Sequence, residues 1–258
     1  MYFELFFMKF LLKTILKYYL KYLAKLTLFI YRPLIIAVAG STNKYFTRQY
    51  IKEALEKEGY IVRSSEKSFN TEIGLPLSIL NLPSGYNSYK KWLQIIKETP
   101  KAIFCARLPK ILILEFGVSD PGDMKYLLSI VKPHIVVITE ITQRYLEGFT
   151  DMDNLVDEYK ILLSNLKQDN FCIFNSDNSK ISEIVTICKS KKESFGFNQT
   201  ADWIIKQTER RQDGQYITIT HNNIINNYKI PRFGKHHIYA FTASLIVKSY
   251  AIKKISEN

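Results

Sequence analysis

The pattern of hydrophobic positions divides the chain into a long apolar N-terminal segment and a body of shorter apolar runs. The N-terminal segment, residues 1–31, is almost continuously apolar or aromatic, and lysines interrupt it at intervals of four. These lysines are Lys9, Lys13, Lys17, Lys21 and Lys25. Because four residues advance about 400° around a helix, each lysine is displaced by only about 40° from the one before. The pattern predicts an amphipathic helix over residues 1–32 with one slowly winding basic stripe.

The predicted helix has two interpretations. A membrane-spanning helix needs about 20 mostly apolar residues, and lysines at its centre would be costly. One interpretation therefore places the helix in the membrane interface, with its leucines and aromatic rings in lipid and its lysines at anionic headgroups. The other packs the helix on the protein's own body or on a partner. No small-residue cleavage site follows the segment, so we expect a cytoplasmic protein, peripheral on the inner face of the membrane under the first interpretation.

Beyond Pro33 the apolar runs shorten and alternate with helical segments, which is typical of βαβ units. Strands are predicted at 34–39, 111–115, 135–139 and 171–175. Helices are predicted at 46–59, 122–131, 152–167, 178–190 and 238–254. Asp213 and Gly214 separate two further strand-like runs, which predicts an antiparallel hairpin near the C-terminus. The fold class is therefore α/β, with a parallel sheet covered by helices on both faces and residues 33–258 forming one domain.

Composition and charge narrow the choice of partners. The chain has 258 residues, 47% of them hydrophobic, which suits one large folded domain with a small appendage. Its net charge of +12 favours polyanions. Nucleic acid is not the favoured partner, since no run of five basic residues and no nucleic-acid-binding motif accompanies the charge. Three cysteines, Cys105, Cys172 and Cys188, lack metal-ligand spacing and are predicted to be buried reduced thiols.

The loop after the first predicted strand carries part of a phosphate-binding motif. It consists of Gly40, Ser41, Thr42, Asn43 and Lys44. In such loops backbone N–H groups converge on phosphate oxygens, a lysine neutralises the β/γ charge, and a following Ser or Thr hydroxyl binds Mg²⁺. Here Asn43 replaces the glycine before Lys44, and Tyr45 fills the Ser/Thr position. By itself the motif is weak, and a chance Gly-Ser-Thr turn explains it equally well.

Several further motifs agree in order. They are Asn70–Leu77, Leu114–Gly117, Asp120–Asp123, Tyr126–Leu127, Lys132–Pro133, Leu146–Phe149, Asn175–Asp177, Phe195–Gly196 and Gly234–His236. With them the chain resembles the Mur ligase family from Pro33 to about Ala251, most closely the branch that adds D-alanyl-D-alanine to UDP-N-acetylmuramoyl-tripeptide. The resemblance implies the family's P-loop-type central domain, with ATP and Mg²⁺ as cofactors and a UDP-muramoyl-peptide as substrate.

The resemblance also implies roles for individual residues. Lys44 would contact the β/γ-phosphates, and Glu115, at a strand end beside the phosphate loop, would help to hold Mg²⁺. Asn175, Asp177 and His236 would face the nucleotide. Without the resemblance, Glu115 could equally be a strand-end charge and Asn175 a turn former.

The segment around Asn70 and Glu72 resembles the branch's Asn-Asn-Glu-Ile-Gly-Leu-Pro sequence. These two residues are therefore the candidates for a substrate loop.

The chain departs from the family pattern at several positions. Tyr145 stands where the family has a magnesium-binding histidine, and a phenol is a poor magnesium ligand. Tyr159 stands where the family has a carbamylated lysine. Lys160 follows one residue later, and a rotation of about 100° points it elsewhere. Ala240 replaces an adenine-contacting asparagine. Together with Asn43 and Tyr45, these departures predict weak or absent ATP-driven ligation.

Three functional hypotheses follow. The chain is an active or split ligase that needs a separate C-terminal domain, which the sequence is expected to lack after Asn258. Alternatively it is a membrane-associated pseudoenzyme that keeps the ligase fold and weak nucleotide binding, and acts as a scaffold in cell-wall precursor synthesis. The third hypothesis is a decaying gene product without a biochemical role.

Overall fold

The structure, a computed structural model, describes residues 2–64, 69–86, 88–104, 109–143 and 148–257. Its helices are α1 (Tyr2–Tyr31), α2 (Lys44–Glu56), α3 (Gly74–Leu80), α4 (Tyr89–Phe104), α5 (Asp123–Ile130), α6 (Met152–Ser164), α7 (Ser179–Ile184) and α8 (Lys235–Ser256). Its strands are β1 (Leu34–Ala39), β2 (Val62–Ser64), β3 (Ile111–Phe116), β4 (Ile135–Ile138), β5 (Phe171–Asn175), β6 (Lys191–Gly196), β7 (Trp203–Arg211), β8 (Gly214–His221) and β9 (Ile224–Ile230).

These strands form one sheet in the order β2-β3-β1-β4-β5-β6-β7-β8-β9. Neighbouring strands from β2 to β7 pair in parallel, which confirms the predicted parallel sheet. β1 lies between β3 and β4, with Val38 opposite Glu115 and Ala39 opposite both Phe116 and Ile138. Because the carboxyl ends of parallel strands meet at one edge, the loops after β1, β3 and β4 lie side by side.

Helices cover the sheet on both faces. Ile36 and Val38 of β1 pack towards α2 and α8, while Ala37 and Ala39 pack towards α3, α5 and α6. Every residue of β1 is buried. Since both faces are covered, β1, β3, β4 and β5 are almost continuously apolar along the chain, which made them recognisable in the sequence.

The C-terminal hairpin is confirmed, with β7 and β8 antiparallel on either side of Asp213. It continues into a third strand, β9, through Asn222 and Asn223, whose φ values of 49° and 63° are left-handed, a conformation that asparagine adopts readily. The alternation that marks a half-buried strand is missing from β9, because Ile224 and Ile225 are both exposed. The helix predicted at 178–190 is shorter than expected: α7 ends at Ile184 and a 3₁₀ turn follows.

The cysteines that the structure describes fit their prediction. Cys172 and Cys188 are both free thiols and both buried. Cys105 lies outside the described residues.

The N-terminal helix packs its inner face on the body of the protein. Leu20, Ala24 and Thr27 are fully buried there. Leu20 contacts α3 and α4 within one apolar cluster, and Ala24 belongs to the cluster that covers the sheet. In the part of the chain that the structure describes, no helix is long and apolar enough to cross a membrane.

Three lysines of the basic stripe contact other elements of the protein. Lys17 and Lys21 lie over the Tyr126 ring of α5, 4.1 and 4.7 Å from its centroid. Lys21 Nζ also donates a hydrogen bond of 2.6 Å to Ser129 Oγ. Lys13 forms an ion pair of 3.4 Å with Glu72. Lys17 and Lys21 therefore face the protein, because the helix buries the neighbouring Leu20 face. The Lys13 side chain stays 63% exposed in spite of its ion pair, and Lys25 is exposed as well. The Lys9 side chain lies outside the described residues.

We expect Leu20→Ala to lower the free energy of unfolding by about 2–5 kcal/mol, since it removes a fully buried side chain and leaves a cavity. Leu26→Ala is the matched control, because Leu26 lies on the same helix and is 40% exposed. It should change stability by no more than about 0.5 kcal/mol. Urea denaturation of both variants measures the difference, and equal losses would contradict the docking of α1.

Candidate functional site

A cavity of about 430 Å³ opens at the carboxyl edge of the sheet, beside β1 and β3. It brings together the phosphate-loop residues and two other predicted site residues, Asn70 and Glu115. Its remaining wall consists of Tyr45, Gly117, Val118, Ser119, Leu155 and Tyr159. The geometry therefore gathers seven of the predicted residues, Gly40, Ser41, Thr42, Asn43, Lys44, Asn70 and Glu115, around one space.

The loop backbone has the conformation that its residue types allow. Gly40 has φ 138°, and a Cβ there would lie 2.1 Å from Thr139 Oγ1, so the position requires glycine. Asn43 has φ 63° and directly precedes α2. Asparagine is among the few residues that adopt this left-handed conformation readily. The replacement of the family's glycine by Asn43 therefore leaves the backbone path of the loop accessible.

The segment after β4 fixes the loop in place. The backbone of Ser41 donates to the carbonyl of Glu140 at 2.6 Å. The Thr42 hydroxyl and the Asn43 amide both donate to Glu140 Oε2, at 2.6 and 2.8 Å. Thr139 Oγ1 donates in turn to the carbonyl of Thr42 at 2.7 Å. Glu140 was not among the site residues predicted from the sequence. Its position at the end of a strand next to β1 was the signal that could have identified it.

Positive charge collects at the start of α2. Lys44 Nζ donates to the carbonyl of Gly40 at 2.5 Å, and burial lowers the pKa of Lys44 while Glu115 opposes that shift. No side chain caps the N-terminus of α2, because the Asn43 amide is turned towards Glu140. A helix N-terminus carries unpaired N–H groups and a partial positive charge. Together with the Lys44 ammonium, this end of the cavity suits an anion.

Glu115 is held by a buried ion pair. Arg48 Nε lies 3.1 Å from Glu115 Oε1, and the two side chains are only 4% and 2% exposed. Arg48 follows Lys44 by one helical turn, so both cations occupy the same side of α2. Sequence reasoning missed Arg48, although this spacing of four from Lys44 was visible.

Within the part of the chain that the structure describes, the donor set does not fit a magnesium ion held by the protein. The guanidinium of Arg48 already neutralises Glu115. Tyr159 is fully buried beside Ser41, with which it shares a hydrogen bond, and burial raises the pKa of its phenol, which therefore stays neutral. Among the described residues, no three His, Cys, Asp or Glu side chains are grouped so as to hold a metal. Tyr145 lies outside the described residues.

Lys160 lies on the solvent side of α6, as the helical rotation predicts. Its Nζ pairs with Asp157 at 2.7 Å. It therefore does not take the place of the family's carbamylated lysine.

Asn175 and Asp177 lie at the end of β5, apart from the residues that line the cavity. Burial alone would raise the pKa of Asp177, but hydrogen bonds from the Phe197 backbone, the Tyr239 hydroxyl and the Asn198 backbone hold it below its usual value. Asn175 accepts a hydrogen bond from the backbone of Asp177 at 3.0 Å. In this structure both side chains organise the β5–β6 edge.

The remaining predicted residues also lie away from the cavity. The His236 ring packs against Phe46 on α2, with their centroids 5.0 Å apart. Glu72 faces α1 and pairs with Lys13. Ala240, a residue of α8, is fully buried in the core.

Known proteins resemble this chain in sequence. A family model described as the Mur ligase middle domain matches residues 38–248. The UDP-N-acetylmuramoyl-tripeptide–D-alanyl-D-alanine ligase of Bacillus subtilis (strain 168) is 25% identical over 228 residues, which are 88% of this chain and 44% of the relative. The UDP-N-acetylmuramate–L-alanine ligase of Carboxydothermus hydrogenoformans is 27% identical, over 86% of this chain and 42% of the relative. The chain thus spans less than half the length of these curated relatives.

Solved structures resemble it in fold. The crystal structure of MurF ligase from Thermotoga maritima in complex with ADP superposes with a TM-score of 0.74 at 22% identity, covering 91% of this chain and 49% of that one. A crystal structure of MurF from Acinetobacter baumannii superposes with a TM-score of 0.72 at 17% identity, covering 91% of this chain and 47% of that one. Because the family model also covers most of its length, the chain belongs to the Mur ligase family, as a middle domain related to the MurF-type ligases of peptidoglycan precursors.

Proposed function

We propose that this chain binds the phosphates of ATP at the cavity beside β1, without a magnesium ion held by the protein, and that it turns ATP over slowly or not at all by itself. The observation that carries the proposal is the pairing of the Lys44 ammonium with the uncapped N-terminus of α2 at one end of that cavity. Both features favour an anion, and the loop that joins them is already fixed by Glu140.

Burial makes Lys44 a strong phosphate ligand. Its ammonium is partly desolvated, as its lowered pKa reflects, and a phosphate group would add a second negative partner beside Glu115. The resemblance to the family and the ADP named for the Thermotoga maritima structure support a nucleotide in this role.

The case for weak catalysis rests on Arg48 and Tyr159. The family's reaction forms an acyl-phosphate that an amine attacks, and both steps depend on positioned metal and phosphate charges. Here a guanidinium sits against Glu115, and a neutral phenol fills the place of the carbamylated lysine. The phosphates would be bound by fixed cations, while Glu115 is paired with Arg48 and a phenol stands where the resemblance expects the modified lysine.

The substrate side of the cavity carries Asn70. Its side chain packs so closely on Gly117 that a Cβ there would lie 2.6 Å from Asn70 Nδ2. The relatives from Bacillus subtilis and Carboxydothermus hydrogenoformans are ligases of UDP-N-acetylmuramoyl-tripeptide and of UDP-N-acetylmuramate. We propose that a UDP-muramoyl-peptide-type molecule approaches past Asn70, and that Glu72, paired with Lys13, contributes little.

A second candidate is one half of a split ligase. The phosphate-loop residues and Glu115, which line one cavity, favour it, because a C-terminal ligase domain on a separate chain could act on a nucleotide held there. Under the first candidate the domain is instead a non-catalytic scaffold in peptidoglycan precursor synthesis. The two candidates share the nucleotide site and differ in turnover.

We expect ATP to bind about equally well with Mg²⁺ and with EDTA, because the phosphate ligands are Lys44 and backbone N–H groups. Lys44→Ala should weaken binding by about ten- to a hundredfold, which corresponds to the loss of one charged hydrogen-bond donor. Lys52→Ala, on the exposed side of the same helix, is the control. Isothermal titration calorimetry measures ATP binding by the wild type with Mg²⁺ and with EDTA, and by the two variants. If EDTA abolished binding by the wild type, the metal-independent site would be contradicted.

We expect phosphate release from ATP to stay far below about 1 s⁻¹, the lower end of ordinary enzyme turnover, with a UDP-muramoyl-tripeptide and D-alanyl-D-alanine present. The same assay is repeated with an isolated MurF C-terminal domain added. Fast release that needs this domain and is lost in Lys44→Ala would favour the split ligase over the scaffold.

We expect Glu115→Gln to lower the free energy of unfolding by about 3–5 kcal/mol, since it leaves the Arg48 charge buried without its partner. Glu58→Gln removes an exposed ion pair with Lys248 and should cost no more than about 1 kcal/mol. Urea denaturation with and without Mg²⁺ measures the stability of the wild type and of both variants. If Glu115 were instead a metal ligand, Mg²⁺ would stabilise the wild type, and Glu115→Gln without metal would cost little.

A further inference from the structure

The outer face of α1 is apolar and uncovered. Its side chains follow one another at intervals of three and four, so they share one side of the helix, opposite the buried Leu20. They are Leu11, Ile15, Tyr18, Tyr22, Leu26 and Phe29, and they are 40–69% exposed. Single exposed apolar residues need no explanation, but a continuous stripe of this kind marks an interaction surface.

Helix α4 extends this surface. It lies alongside α1, because the Tyr19 hydroxyl donates to the carbonyl of Ile96 at 3.3 Å and the Tyr31 hydroxyl to that of Ile103 at 2.7 Å. α4 buries Ile95 and Ile103 against α1 and α3. Its outer side exposes Leu93, Ile96 and Phe104, of which Phe104 is 71% exposed. Two neighbouring helices therefore present apolar side chains to solvent.

The charge of both helices is predominantly positive. From residue 11 to the end of α1, and throughout α4, there are eight lysines and one acidic residue, Glu98. Lys90, Lys97 and Lys101 lie on the exposed side of α4, and Lys25 lies beside the stripe of α1. An apolar surface with a cationic border matches an interface of anionic headgroups above acyl chains. A second copy of this chain would instead bring like charges together.

We propose that α1 and α4 form a lipid-binding surface that holds the domain flat against an anionic membrane. The apolar side chains enter the headgroup region, and the lysines at the border contact lipid phosphates. The inner face of α1 stays on the protein, so attachment needs no rearrangement of the fold. This surface is independent of the nucleotide site, since none of its side chains lines that cavity.

Vesicle co-sedimentation of the full chain tests the proposal. We expect binding to vesicles of phosphatidylglycerol and phosphatidylcholine, weaker binding at high salt, and little binding to phosphatidylcholine alone. The triple variant Ile15→Gln, Tyr22→Gln, Phe29→Gln should weaken binding by about tenfold or more. The matched control, Ile224→Gln with Ile225→Gln, changes two exposed isoleucines of β9 and should leave binding unchanged.

The lysines are tested in the same assay. Lys97→Gln with Lys101→Gln should weaken binding by about fivefold for each lysine. Lys57→Gln with Lys132→Gln removes the same charge from exposed positions on other elements and should have a much smaller effect. Circular dichroism and the thermal midpoint establish that each variant is folded.

Wild-type protein that does not bind anionic vesicles would overturn the proposal. Binding that survives the triple substitution, or that both pairs of lysine substitutions weaken equally, would overturn it as well. Sedimentation equilibrium then measures whether the wild type and the triple variant self-associate. A wild-type dimer that the triple variant disperses, without vesicle binding, would assign the surface to a second copy.

Discussion

The structure depends on the need to cover both faces of a parallel sheet. The strands β1, β3, β4 and β5 are apolar on either side, and exposing one face would leave a large hydrophobic surface in water. Helices α2 and α8 cover one face, and α3, α5 and α6 cover the other with the help of α1. This arrangement sets the carboxyl ends of the parallel strands at one edge, which is where the phosphate loop and Glu115 meet. It also fixes α1 in an orientation that leaves its outer face to solvent.

At that edge, two opposite charges pair inside the protein. In the family's pattern, as the resemblance describes it, an acidic strand end, a histidine and a modified lysine surround magnesium. Here Arg48 approaches Glu115 from α2, and the two charges neutralise one another inside the protein. A buried ion pair of this kind gives little net stability, but it is costly to break. The pair therefore holds α2 against β3 and keeps Lys44 at the mouth of the cavity.

Much of the fold was predictable because the covered strands carry a strong local signal. β1 and β5 begin and end where the sequence predicts, since burial on both faces requires an unbroken apolar run. β6 and β9 escaped prediction for the opposite reason: β6 begins with exposed lysines, and β9 has exposed isoleucines. The helices α3 and α4 are defined by their packing on α1, a contact between distant parts of the chain that local patterns do not contain.

The position of the site could be predicted from the sequence, but the hydrogen bonds and ion pairs between its side chains could not. The loop could be placed because the motifs downstream occur in family order. The partners of its side chains could not, because Glu140 reaches Thr42 and Asn43 from nearly a hundred residues away. The same limit applies to Arg48 and Glu115, which belong to different strand–helix units. The lysine stripe shows how periodicity identifies a helix face without revealing what that face contacts.

The phenol of Tyr159 has one further consequence. The lysine that the family pattern places there becomes a ligand only after its amine has reacted with carbon dioxide, so the family's site depends on dissolved bicarbonate as well as on the chain. A tyrosine needs no such reaction, and its hydrogen bond to Ser41 forms as the protein folds. At this position, the chemical state of the cavity is therefore encoded completely by the gene and does not vary with the carbon dioxide of the surroundings.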